Sequence, residues 1–203
     1  MSDPKPLVLG ILGSPRAKSN TGALLERVLA GAAAAGAQTE LIVLRKLNYE
    51  SCRHCGGCDR TGRCVVQDDI LELHASLRGA QHLVLASPIH FSGVSGEMKA
   101  MMDRAQAFWV ARYRLKAPVS DVGGERRGVF VATCGGGDRR VFEWARHSVL
   151  AFLNSTGFSY WGDLFEAKTD GPPPLSERGE VLAAAWELGR ELMNVTTNTT
   201  TCA

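Results

Sequence analysis

Cys52, Cys55, Cys58 and Cys64 fall in one short stretch with the spacing C-x2-C-x2-C-x5-C. Thiolates are soft ligands, and three of them at successive x2 spacing can wrap an iron–sulfur cubane corner by corner. A zinc ribbon sets two C-x2-C knuckles far apart, so zinc suits this spacing less well. The chain has six cysteines among 203 residues. A secreted disulfide scaffold would spread its cysteines over a chain too small for a core, and this chain does not have that look. A reversible disulfide among the four thiols, or a loop of reduced cysteines, stays open beside the metal reading. Gly56, Gly57 and Gly62 let the loop turn tightly. Arg53 and His54 stand beside the sulfurs, where a donor or a positive charge raises the potential of a cluster.

Three other segments carry chemistry of a different kind. The first runs from Gly13 to Gly22 (GSPRAKSNTG). Its hydroxyl and amide side chains accompany the backbone N–H groups of a helix start, where an anion is favoured. Arg16 adds a fork for phosphate oxygens. The segment is neither a Walker loop nor a G-x-G-x-x-G turn. An ordinary capped turn, with Ser19 or Asn20 satisfying helix donors, would look the same. The second is Ser87–Gly96 (SPIHFSGVSG), followed by Lys99 and Asp103-Arg104. Pro88 stiffens the exit from a strand, Phe91 offers a flat apolar surface, and Gly93 permits close backbone approach. A lone histidine such as His90 is more often a surface residue than a catalytic one. In the third, Cys134-Gly135-Gly136-Gly137-Asp138, consecutive glycines fit backbone passing a flat ligand, or a flexible turn. Cys134 reads as an inert buried thiol ahead of a redox participant.

The elements that must position these segments alternate. Short apolar runs at Leu7–Leu12, Glu40–Leu44, His82–Ala86, Gly128–Thr133 and Phe158–Phe165 read as strands. Between them lie helical patterns: Thr21–Ala35 with Leu24, Leu25, Val28 and Leu29; a helix capped by Asp68 or Asp69; Ser95–Phe108; and Val141–Leu153. A last helix spans Leu175–Met193, after Pro172-Pro173-Pro174. Strands alternating with helices predict a five-stranded parallel sheet covered on both faces, an α/β doubly wound fold. Open sheets of this kind bind ligands at the carboxyl ends of their strands. The stripe Met98, Met101 and Met102 reads as core, and Trp144 and Trp161 as core or interface. Trp109 and Tyr113 are placed to roof a substrate site or to pack across a dimer. Residues 111–125 have the weakest pattern and suit a lid or a partner-binding loop. Residues 1–194 form one domain with a cysteine-rich loop at 52–64, and the Thr-rich tail 195–203 is expected to be disordered.

Gly-Ser-Pro-Arg-x-x-Ser-Asn-Thr, then Ser-Pro-Ile-x-Phe with a downstream Lys-x-x-x-Asp-Arg, resembles the flavodoxin-like NAD(P)H-dependent FMN reductase family over residues 7–165. The resemblance implies sheet order 2-1-3-4-5. It places the FMN phosphate on Ser14, Arg16, Ser19, Asn20 and Thr21. It lines the isoalloxazine with Pro88, Ile89, His90, Phe91, Ser92 and Gly93, with Gly135 and Gly136 beside the ring. Many relatives carry tyrosine where His90 stands. The cysteine spacing resembles the iron–sulfur flavoprotein branch, which carries FMN and a [4Fe–4S] cluster, and so implies Cys52, Cys55, Cys58 and Cys64 as ligands. No side-chain acid–base pair stands out, so the flavin carries the chemistry.

The function implied is an FMN-dependent oxidoreductase, passing electrons from NAD(P)H or ferredoxin to a quinone, an oxygen species or a small organic substrate. A cluster-free NAD(P)H-dependent FMN or quinone reductase competes with it, as do an FMN-dependent biosynthetic dehydrogenase, a pure electron carrier and a zinc-bound interaction module. The resembling branch implies a homodimer or homotetramer. Composition narrows the rest. Lys plus Arg number 23 and Asp plus Glu 21, a net charge of +2 that argues against nucleic acid as a partner. No apolar run approaches the ~20 residues that span a bilayer, and residues 1–6 lack a signal-peptide layout, so a cytoplasmic protein with no membrane partner is expected.

Overall fold

Each central strand sends its side chains alternately to two separate cores. In the computed structural model, which describes residues 5–194, β1 (Leu7–Leu12) turns Leu9 and Ile11 to one face, and Val8 and Leu12 to the other. β3 (His82–His90) divides Leu83 and Leu85 from Val84 and Ala86, and β5 (Arg127–Thr133) divides Phe130 and Ala132 from Val129 and Val131. Strands buried on both faces suit a parallel sheet. With β2 (Gln38–Val43) and β6 (Ser159–Glu166), the order is β2-β1-β3-β5-β6, all parallel. This is the expected 2-1-3-4-5 order. The sixth strand, β4 (Gly93–Val94), only folds back antiparallel on the end of β3.

One face is covered by α2 (Ile70–Gly79), α3 (Gly96–Arg104) and α5 (Arg140–Thr156), and Met98, Met101 and Met102 lie in its core as expected. The other carries α1 (Asn20–Ala34) and α6 (Gly179–Leu192). These two helices cross backbone to backbone. A Cβ on Gly31 would lie 1.9 Å from the carbonyl oxygen of Trp186, and one on Gly189 would lie 1.9 Å from that of Val28. No larger residue allows that approach.

Three expectations need correction. β3 does not break at Ser87-Pro88 but continues to His90. Its pairing with β1 ends at Leu12↔Ala86, while Pro88 still pairs with Thr133 on the β5 side. The donor that proline lacks is therefore not needed toward β1. The helix expected over Ser95–Phe108 is divided into α3, α4 (Gln106–Trp109) and a π-helical turn, Val110–Arg114. The last helix starts at Gly179, because Leu175–Glu177 forms a separate 3-10 turn. The tail expected to be disordered, 195–203, lies outside the described residues. Among the described residues no helix is long and apolar enough to cross a membrane.

Because the five paired strands are parallel, the segments leaving β1, β2, β3 and β5 all emerge at one end of the sheet. Two candidate sites are built there.

Candidate functional site

The first is a cavity of about 200 Å³ at the head of α1. Ser14, Arg16, Ser19, Asn20 and Thr21 line it, and so do Pro88, Ile89 and His90 at the end of β3, and Gly135 after β5. The three loops singled out in the sequence thus meet at one place. Ser19 caps α1, its Oγ accepting from the N–H of Gly22 at 3.0 Å. The plain capping role therefore holds for Ser19 whatever else it does. Ser14 is buried, and its Oγ accepts from the N–H of Arg16 at 3.3 Å. The Arg16 side chain is left exposed at the rim. The Thr21 and Thr133 hydroxyls share a hydrogen bond of 2.5 Å between α1 and β5. Hydroxyls, an amide, a guanidinium and a helix N-terminus make a donor set that suits a phosphate.

Phe91, Ser92, Gly93 and Gly136 do not line this cavity. Phe91 and Ser92 form the tip of the β3–β4 hairpin with φ of 48° and 65°, and Phe91 is fully exposed. The glycine loop is not slack. Cys134 N–H donates to the Glu166 carbonyl at 2.9 Å, Lys168 N–H to that of Gly136 at 2.9 Å, and Thr169 N–H to that of Cys134 at 3.1 Å. This lacing brings in Thr169 and Asp170, which the sequence reading missed, and Pro15, Lys18 and Thr133 also line the cavity. Asn20 Nδ2 donates to the Thr169 carbonyl at 2.9 Å. That contact joins residues 149 apart in the chain, so no local pattern could announce it.

The second site is a cavity of about 320 Å³ lined by Cys52, Cys55, Cys58 and Cys64, with Arg53, His54, Arg104 and Trp109. It shares no lining residue with the first. All four cysteines are free thiols. Among the described residues no three Cys, His, Asp or Glu side chains close around a single metal ion. A single tetrahedral ion draws its sulfurs tightly together, whereas a cubane holds them farther apart, one at each iron. Four soft thiol donors around one cavity are the chemistry of a cysteine-held metal group.

The cysteine loop is fastened to the body of the domain. Gly62, at φ 66°, lies so near the π-helical turn that an added Cβ would be 2.6 Å from Cβ of Ala111. Arg114 pairs with Asp59 at 2.9 Å. Trp109, expected to roof a substrate site or pack across a dimer, lines the cysteine cavity and leaves the first cavity untouched. Burial pushes the Cys58 thiol above its ordinary value, and the negative charges of Asp59, Cys64 and Cys52 act the same way. A group that binds and neutralises these thiolates relieves that repulsion. Burial alone would raise the Asp68 carboxyl, but the Arg104 guanidinium outweighs it and holds Asp68 below the usual carboxylate range.

The sheet order and the cavity at its carboxyl end define a flavodoxin-like α/β domain. The chain belongs to the NADPH-dependent FMN reductase family, whose model matches residues 6–152. It is 35% identical over 124 residues to an iron–sulfur flavoprotein of Methanocaldococcus jannaschii, which covers 60% of this chain and 64% of the relative. An iron–sulfur flavoprotein of Methanosarcina thermophila is 26% identical over 187 residues, 89% of this chain and 95% of that protein. Thus the match spans just under two thirds of the Methanocaldococcus relative and nearly all of the Methanosarcina one. Among solved structures, an NAD(P)H:quinone oxidoreductase from Methanothermobacter marburgensis superposes with TM-score 0.69 at 20% identity, covering 95% of this chain and 98% of that one. An FMN-dependent NADH-azoreductase from Bacillus anthracis, solved in complex with FMN, gives 0.64 at 14% identity, covering 94% and 100%. At such identities the likeness is one of fold.

Proposed function

We propose that this chain is an FMN-dependent oxidoreductase that holds FMN at the head of α1 and a [4Fe–4S] cluster in the cysteine cavity. The observation that carries this reading is the convergence of Cys52, Cys55, Cys58 and Cys64 on one cavity. The relatives named iron–sulfur flavoproteins support it.

Ser14, Arg16, Ser19, Asn20 and Thr21 hold the FMN phosphate, with Thr169 as an added backbone brace through Asn20. Pro88, Ile89 and His90, which line the cavity, flank the ring, with Gly135 on its other side, while Phe91, Ser92, Gly93 and Gly136 lie outside the cavity walls. FMN supplies hydride and single-electron exchange at its ring, and the cluster supplies single-electron exchange alone. The protein's own work is positioning. The capped start of α1 presents oriented donors, and the laced glycine loop keeps backbone close to the ligand without a side chain in the way. Electrons come from NAD(P)H or ferredoxin and pass to a quinone, an oxygen species or a small organic substrate. The working form is a homodimer or homotetramer.

The test is anaerobic purification followed by flavin, iron and zinc analysis. The expected result is FMN with iron and broad visible absorbance. Changing any one of the four cysteines to Ala should remove iron while leaving FMN, because the two cavities have no residue in common. Stoichiometric zinc overturns the cluster, as does absence of iron after anaerobic reconstitution with iron and sulfide. Either result leaves a cluster-free NAD(P)H-dependent reductase.

A further inference from the structure

A guanidinium is costly to bury, and Arg104 at the end of α3 is only 2% exposed. Its ion pair with Asp68, at 2.6 Å from Nη1, compensates the charge. That pair does not account for the rest of the fork. Nη1 also donates to the Glu50 carbonyl at 2.9 Å, and Nη2 donates to Asp68 at 3.0 Å and to Sγ of Cys64 at 3.3 Å. Nε is buried with no partner among the described residues. One planar group thus grips the chain just before Cys52 and again at Cys64, the two ends of the cysteine loop. The side chain itself lines the cysteine cavity.

We propose that Arg104 is a positioning residue of the cysteine site, which fixes Cys64 Sγ and donates to it a hydrogen bond that raises the reduction potential of the group bound there. This rests on the cluster reading above. Added electron density on a cluster resides partly on its sulfurs, so an N–H donor and a positive charge beside one sulfur stabilise the reduced form more than the oxidised form. Asp68 is the counter-charge that lets the guanidinium stay buried, and its Oδ1 also accepts from the N–H of Ile70 at 3.2 Å at the start of α2.

The experiment compares the parent, Asp68→Asn, Arg104→Lys and the double variant Arg104→Met/Asp68→Asn, all reconstituted anaerobically. Asparagine keeps an acceptor for α2, and the double variant leaves no unpaired buried charge. Cluster potential is read by spectroelectrochemical titration, with the FMN potential as an internal reference, alongside iron per chain. The expected result is a cluster potential in Asp68→Asn no lower than in the parent, and a lower one in the double variant, with FMN unmoved. Arg104→Lys keeps the charge but has no fork to serve three acceptors, so it falls between. Equal cluster potentials in Asp68→Asn and the double variant overturn the proposal, because Arg104 would then act only through its pair with Asp68. Should the variants not fold, parent protein labelled with 15N-arginine is examined by pulsed electron paramagnetic resonance. A hyperfine coupling from an arginine nitrogen to the reduced cluster is expected, and its absence overturns the proposal. A parent that takes up no iron overturns the cluster reading together with this one, whereas an iron-bearing parent with equal potentials overturns this one alone.

Discussion

Ser14 and Arg16 share one turn but differ in how firmly the fold holds them. Ser14 is buried and its hydroxyl bonded, while Arg16 is exposed. Charge-assisted bonds of this kind contribute ~1.5–3 kcal/mol each. Ser14→Ala with Arg16→Ala should therefore weaken FMN binding by at least about tenfold, as read by fluorescence titration of the apoprotein. An unchanged dissociation constant would move the phosphate to another place. His90 lines the same cavity from the end of β3. Replacing it with Phe should shift the flavin potential with FMN still bound, and complete loss of FMN would make it an anchor instead. Another histidine acts on stability. Burial pushes His74 down to about 4, helped by the charges of Arg104 and Arg78, whereas its ordinary value is 6.5. Below pH 6.5 the unfolded chain takes up a proton that the folded protein refuses. Stability is thus full above that pH, falls as the pH drops toward about 4, and levels off below, at a cost of at most about 3 kcal/mol. Urea midpoints measured across that range should show the decline, and His74→Leu should flatten part of it. His82, also pushed down to about 4, adds a decline of the same sign.

The α1–α6 crossing makes a separate demand, because Gly31 and Gly189 let two backbones meet. Gly31→Ala would force the helices apart and should cost on the order of 1–3 kcal/mol or more, seen as a lowered melting temperature. FMN binding should change far less, since the phosphate donors sit at the other end of α1. Neither glycine announces this in the sequence, because a glycine within a helical pattern says nothing about what crosses it. The same limit governs the rest of the comparison. Leu9 and Ile11 against Val8 and Leu12 are a local alternation, so the strands and the two covered faces were readable, whereas the strand order came from the resemblance of the loop motifs to a known family. That three loops at the ends of β1, β3 and β5 would meet was readable too, since they follow parallel strands and carry distinctive side chains. Thr169 and Asp170 were not, since they reach Asn20 and Gly135 only through the folded chain. Pro88 misled because the rule against proline in strands holds where both sides pair, and here only one does.

At the scale of the molecule, both cavities open at the same end of the sheet but share no residue. The surface leaves several large apolar side chains uncovered: Trp109 and Tyr113 at 41% exposure, Trp144 at 54%, and Phe91. Surfaces of this kind fit the proposed self-association. Sedimentation velocity on the FMN-loaded protein should give a dimer or tetramer. A monodisperse monomer that retains both cofactors and exchanges electrons rapidly between them would refute it.

Helix α3 is capped by Ser95, whose Oγ accepts from the N–H of Met98 and donates to the carbonyl of Gly13 in the turn leading to the first cavity. It ends at Arg104, in the wall of the second. The helix is therefore a ruler laid between the two sites, about 13 Å long at ~1.5 Å per residue. Its length carries a phase as well as a span. One inserted residue would swing Arg104 by about 100° away from Cys64, and a full inserted turn would restore the direction but carry the guanidinium ~5 Å too far. Distance and orientation cannot be adjusted separately, so the number of residues from Ser95 to Arg104 fixes both at once.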